Sequence, residues 1–308
     1  MQGDRSYAYR LVDVFTQVPF QGNQLAVFTD AAGLDDSTMQ LIARELNLAE
    51  TTFVFPASVS GCVAQVRIFT PCREMLFAGH PTIGTAYVLM DAGRVDASVS
   101  EFVLQENVGP VAIRVARDEA NLIWLRTPAI RWGNTYQPAL CARVLGLSPD
   151  ELLAPAPQWL SAGNPTLFIP VRSPAIVDRA SLSAEGMHTL KGTEPDPLCV
   201  FVFALTAQGV YSRMFAPEHG VAEDPATGSA TGPLAAYLMK HRLVADAAGT
   251  RLISEQGVKM LRRSILHVHI EGAAGSAGIY VGGHVVSIGE GSIRIAAAVT
   301  PQRPTIQP

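Results

Sequence analysis

Three short stretches of this chain recur in the same order, at a spacing of 141 to 146 residues. Gln21-Gly22-Asn23-Gln24-Leu25 is echoed by Ala162-Gly163-Asn164-Pro165-Thr166, and Arg67-Ile68-Phe69-Thr70-Pro71 by Arg213-Met214-Phe215-Ala216-Pro217. His80-Pro81-Thr82-Ile83-Gly84-Thr85-Ala86 is echoed by Asp224-Pro225-Ala226-Thr227-Gly228-Ser229-Ala230. Each match alone is short enough to arise by chance. Three in one order at nearly constant spacing mark an internal duplication. The chain therefore reads as two similar halves that meet near residues 125–135.

Within that frame the local patterns alternate between strand and helix. Residues 7–15 and 25–29 are rich in Val, Phe and Tyr and predict strands. Asp35 or Asp36 caps a predicted helix over 37–47, with Met39, Ile42, Ala43 and Leu46 on one stripe. Strands follow over 51–56 and 62–69, then an amphipathic helix over 81–91 ending near Gly93, then strands near 100–105, 110–116 and 121–127. Residues 138–147 and 148–154 predict two short helices, the second capped by Ser148 with Pro149 at its first position. The fold class is α+β.

Composition narrows the function. Of 308 residues, 48% are hydrophobic and 16% charged, so the chain can bury a large core under a thin polar skin. The net charge of −4 comes with scattered basic residues, which argues against nucleic acid or an anionic membrane as partner. The apolar runs, such as 199–205, are strand-sized, and the first residues do not have signal-peptide form, so a cytoplasmic protein is expected. The four cysteines, 62, 72, 141 and 199, show no CxxC spacing and read as free thiols.

The third repeat places small residues before a helix in each half, with Pro81 and Pro225 read as first-turn residues. Free N–H groups and a partial positive charge at a helix start suit a carboxylate. Two such starts brought together by pseudo-twofold symmetry would form one pocket for a small acidic molecule. Neither a GxGxxG after a first strand nor a Walker sequence is present, so no nucleotide cofactor is implied. His267 and His269 share a strand face without a third ligand nearby, so no metal is assigned. Chemistry then falls to side chains: Glu50, a carboxylate entering a strand from an apolar segment, with His80 and Asp224 in corresponding places of the repeat. His219 and Glu223 flank the second motif and read as rim residues.

The stretches 22–28 (GNQLAVF), 43–54 (ARELNLAETTFV), 69–86 (FTPCREMLFAGHPTIGTA) and 212–238 (SRMFAPEHGVAEDPATGSATGPLAAYL) resemble the phenazine-biosynthesis PhzF family. The resemblance implies a diaminopimelate-epimerase-like fold of two halves, each a curled sheet around a central helix. It divides the chain into residues 1–128 plus 289–300, residues 129–288, and a flexible tail over 301–308. It also implies a cofactor-independent, homodimeric isomerase that shifts a proton and a double bond in a small cyclic unsaturated acid, trans-2,3-dihydro-3-hydroxyanthranilate or a relative. Position by position, the acid/base falls on Glu50, and substrate contacts fall on Gly79, His80, Asp224 and Ser229, with Thr227 and Gly228 beside them. Departures at Gln24, Cys72 and Leu76 lie near the pocket loops, so the resemblance does not carry the substrate itself. Two other readings are a two-base racemase or epimerase, disfavoured because neither helix-start loop holds a thiol, and a non-catalytic carboxylate-binding protein.

Overall fold

The computed structural model describes residues 5–192, 198–244, 249–271 and 278–295. The expected tail over 301–308, and residues 296–300 of the segment 289–300 assigned above to the first half, lie outside them. The first half comprises β1 (Arg5–Val14), β2 (Asn23–Phe28), α1 (Asp36–Leu46), β3 (Glu50–Phe55), β4 (Ala64–Phe69), β5 (Glu74–Met75), α2 (Gly79–Asp91), β6 (Glu101–Glu106), β7 (Gly109–Ala116) and β8 (Leu122–Arg126). Then come β9 (Arg131–Thr135), α3 (Pro138–Val144), β10 (Gln158–Ser161), β11 (Pro165–Val171), α4 (Pro174–Arg179), α5 (Ala184–Lys191), β12 (Cys199–Thr206), β13 (Gly209–Ala216) and β14 (Val221–Asp224). The chain continues through α6 (Gly228–Lys240), β15 (Arg251–Gln256), β16 (Ser264–Glu271), β17 (Gly278–Gly283) and β18 (Val285–Ile295).

The strand pairings repeat as the sequence does. From β1 to β8 the neighbours pair antiparallel (β1–β2), parallel (β2–β3), antiparallel (β3–β4), parallel (β4–β6), then antiparallel through β7 to β8. From β10 to β17 the same order of senses recurs through β11, β12, β13, β15 and β16. The two series join where β8 pairs with β17, their equivalent last strands. Each series carries one more strand on its outer edge: β18 on β1, and β9 on β10. The α+β class and the duplicated architecture expected from sequence are both present.

Local sequence explains most elements. Asp35 caps α1, its carboxylate accepting from Thr38 N at 2.7 Å, and Met39, Ile42 and Ala43 are buried as the stripe predicted. β12 is an unbroken apolar run because it lies between β11 and β13 with its first six residues buried. The helix expected over 148–154 is only one 3-10 turn, Pro149–Glu151. Leu152 leaves it to bridge Val171, and Leu153 N donates to Pro170 O, so the sheet takes over the backbone. α2 and α6 are not amphipathic. Every residue of α6 except Lys240 is buried, as are the first eight of α2, which makes each the axis of its half. No helix among the described residues is long and apolar enough to cross a membrane.

Candidate active site

The two Gly-Asn turns set the site. Gly22 and Gly163 adopt positive φ, 69° and 117°, and at Gly22 a Cβ would fall 2.3 Å from Val14 O. Each turn delivers an asparagine to the interface between the halves. Asn23 Nδ2 donates across to Ala226 O at 2.9 Å and lies 3.1 Å from His80 Nδ1 in its own half. Asn164 Nδ2 donates across to Phe77 O at 2.9 Å and to Ser229 Oγ at 3.1 Å in its own half. The two helix starts meet back to back. A Cβ on Gly79 would lie 2.6 Å from Gly228 Cα, so only glycine allows this approach.

These contacts revise the third sequence repeat. The asparagines pair Phe77 with Ala226 and His80 with Ser229, a spacing of 149 residues. Thr82 Oγ1 donates to Ala78 O and Thr231 Oγ1 to Thr227 O, at that same spacing. Strand register agrees: Ile68 faces Met75 as Met214 faces Asp224. The structural mate of His80 is therefore Ser229, not Asp224. Asp224 corresponds to Met75, after three extra residues in the second half's loop. Pro225 likewise precedes α6 instead of lying in its first turn, whereas Pro81 does lie in the first turn of α2.

Between the halves lies a narrow cavity with about 30 Å³ of free space, lined by Glu50, Asn164, Cys199, His219, Asp224, Thr227 and Ser229 among others. That is room for little more than one water, so a substrate needs the walls to part. Glu50 Oε2 stands 3.4 Å from His80 Nε2, and both atoms are buried without a hydrogen-bond partner. Burial, and then the charge of Asp224, push the Glu50 carboxyl well above the ordinary range. Burial raises Asp224 to about 6, against the lowering effect of hydrogen bonds from Thr227 Oγ1 (2.5 Å) and Asn23 Nδ2 (2.7 Å). Burial depresses His80 to about 3, so its imidazole is neutral at pH 7. Buried polar atoms left unpaired are costly, and a site that carries several is built for a polar ligand.

All seven residues expected from sequence converge here. Gly79 and His80 open α2, Thr227 stands at the N-cap position of α6, Gly228 and Ser229 open it, and Asp224 and Glu50 both line the cavity. His219, read from sequence as a rim residue, is 4% exposed and lines the cavity. Glu223, also read from sequence as a rim residue, does not line the cavity. It holds Arg213 in a two-pronged ion pair, 2.9 and 2.7 Å, as Glu74 holds Arg67 in the first half. Cys199 lies in an apolar strand, where a cysteine carries no signal of a site residue. The strand register makes it the mate of Glu50, since Leu25 faces Glu50 and Thr166 faces Cys199. Asn23 and Asn164 were legible, being invariant between the repeats, but without coordinates nothing showed that they cross the interface. Among the described residues no cluster of three or more His, Cys, Asp or Glu side chains could hold a metal, and His267 and His269 instead flank the Trp124 ring.

Residues 12–291 match the family described as phenazine biosynthesis-like protein. The trans-2,3-dihydro-3-hydroxyanthranilate isomerase of Pseudomonas aeruginosa is 34% identical over 293 residues, covering 92% of this chain and 98% of that protein. The crystal structure of a Bacillus anthracis phenazine biosynthesis protein of the PhzF family superposes with a TM-score of 0.84 at 26% identity, over 94% of this chain and all of that one. A hydroxyproline epimerase of Agrobacterium vitis shares the fold, with a TM-score of 0.67 at 14% identity, over 95% of this chain and 93% of that one.

Proposed function

The chain belongs to the phenazine biosynthesis-like family and is an isomerase, and from that premise we propose that it moves a proton, and with it a double bond, within a small unsaturated carboxylic acid, with Glu50 as the acid/base. The observation that carries this reading is the buried, partnerless Oε2 of Glu50 beside the partnerless Nε2 of His80. Glu50 as carboxylate takes a C–H proton made acidic by conjugation. The electron pair left behind spreads into the substrate's carboxylate, and Glu50, now protonated, returns the proton to a second carbon of the same π-system. A carboxyl raised toward neutral pH is suited to both halves of that transfer. Charge that builds on the substrate's carboxylate is met by the N–H groups at the start of α6 and by Ser229. Neutral His80 and Asp224 hold the polar substituents.

trans-2,3-Dihydro-3-hydroxyanthranilate, the compound in the relative's name, is the first substrate to try. The Glu50→Gln protein should fold as the parent does yet lose substrate-dependent exchange of C–H for deuterium in D2O, followed by proton NMR. Retained exchange would remove Glu50 from the role. Cys199 favours a second reading, two-base epimerisation, because its thiol lines the same cavity from the position equivalent to Glu50. Burial raises that thiol, and the nearby Asp224 raises it further, which suits a neutral proton donor rather than a base. Cys199→Ala should leave exchange intact if one base suffices and abolish it if two are needed.

The same family reading proposes a cytoplasmic homodimer working without a cofactor, its halves formed by residues 1–128 plus 289–300 and by residues 129–288. Sedimentation of the purified chain checks the dimer.

A further inference from the structure

Two polar side chains have no part in the proton transfer: His219 in the wall of this cavity, and Arg73 on the loop packed beside it. Arg73 and His219 each lie two residues past the proline of the repeated Pro71 and Pro217 motif, on loops that meet across the pseudo-twofold axis. The loops touch closely enough that a Cβ on Gly220 would fall 2.6 Å from Cys72 Sγ. His219 is 4% exposed, faces the cavity, and has neither ring nitrogen hydrogen-bonded. Arg73 Nε is buried and unpaired as well. Its charge acts on both His219 and Cys199, two residues that line the cavity. The carboxylate of Glu218, the nearest acid in sequence, accepts from Leu198 N at 2.9 Å. A guanidinium cannot shed its charge, and an imidazole with both nitrogens buried and idle forfeits two hydrogen bonds. Folding alone gives no return for either.

We propose that Arg73 and His219 form a second acid-binding subsite, so that the preferred substrate carries two acidic groups, one held at the helix starts and the other by this pair. The Arg73 guanidinium and the N–H of the His219 ring donate to the oxygens of the second carboxylate, a charge-assisted arrangement. Burial, followed by the charge of Arg73, lowers His219 to about 4. The ring is thus neutral at pH 7, leaving Arg73 as the single cation of the subsite. This inference rests on the cavity being the substrate site, as proposed above, and adds which class of acid enters it.

The test is equilibrium binding, read without turnover. Mesaconate, an unsaturated dicarboxylate, is compared with (E)-2-methylbut-2-enoate, in which a methyl replaces one carboxylate, by calorimetric titration of the full chain at pH 7.5. Mesaconate should bind at least tenfold more tightly. Arg73→Gln should reduce the preference to threefold or less while leaving the Kd of the monoacid within a factor of two. His219→Phe should cut the preference at least threefold, and it carries the test should Arg73→Gln fail to fold. Equal affinity of the parent protein for the two acids would overturn the proposal, as would an Arg73→Gln protein that loses both equally. Loss or retention of deuterium exchange in Glu50→Gln bears on the catalytic reading alone, so the two can fail separately.

Discussion

Replacing Glu106 with Gln should stabilise this protein, by an amount that grows with pH. Glu106 ends β6 and is 5% exposed. Its Oε1 lies 2.5 Å from Thr82 Oγ1, in the first turns of α2, while that hydroxyl also lies 2.7 Å from Ala78 O. One hydroxyl proton cannot serve both contacts. If it goes to the Ala78 carbonyl, the Glu106 carboxyl must be the donor to Thr82, and therefore neutral. Burial raises this carboxyl from an ordinary 4.5 to about 8. A folded-state value above the unfolded one means that the stability is complete below pH 4.5 and is lost as pH climbs toward 8. From those two values the loss is roughly 3 kcal/mol at pH 7 and close to 5 kcal/mol at pH 9, and next to nothing at pH 4. Glutamine cannot ionise, and it can still donate to Thr82. The second half already carries this solution: Gln256, the register mate of Glu106, donates from Nε2 to Thr227 Oγ1 at 3.0 Å. Urea unfolding of both proteins at pH 5, 7 and 9 reads the effect directly. The parent's midpoint should fall more steeply over that range than that of the Glu106→Gln protein, whose remaining slope comes from the raised carboxyls of Glu50 and Asp224. Parallel pH profiles for the two would show that Glu106 is ionised in the folded state and refute the reasoning.

Two further outcomes follow from the helix starts and the carboxyl pair. Gly79→Ala should cost about 1–3 kcal/mol, because its methyl would meet the Gly228 backbone at 2.6 Å, and should lower deuterium exchange more than tenfold by parting the two N-termini. Wild-type stability and exchange in that variant would mean the starts are not in contact. The exchange rate should rise with pH through a limb set by the coupled Glu50–Asp224 pair, above the ordinary carboxylate range, because burial raises both groups and the base must be ionised. A rate independent of pH between 5 and 8 would place the essential base elsewhere.

What the sequence revealed and what it hid divide along the duplication. Residues that the backbone requires were kept in both copies, and these were legible: Gly22 with Gly163 at the left-handed turns, and Asn23 with Asn164. Arg67 with Arg213 belongs here too, each holding a glutamate and stacking on the phenylalanine two residues on. The third repeat misled because identical letters, HP and DP, lie five residues out of structural step. No spacing pattern could register the three extra residues in the second loop.

Chemistry, in contrast, sits where the copies have parted. The mates are Glu50 with Cys199, His80 with Ser229, Met75 with Asp224, and Glu106 with Gln256. A twofold site would present the same group to both faces of a substrate and could not tell one from the other. By setting a carboxyl against a thiol and an imidazole against a hydroxyl, this chain makes the two faces of one cavity chemically distinct. A suprafacial proton shift needs that distinction and a two-base racemisation does not. The repeats mark only what the two copies share, which places the cavity but not most of what lines it. His219 was the extreme case. It lies in the loop of least similarity, and only coordinates could show it turned inward, beside Arg73, with both nitrogens waiting for a partner.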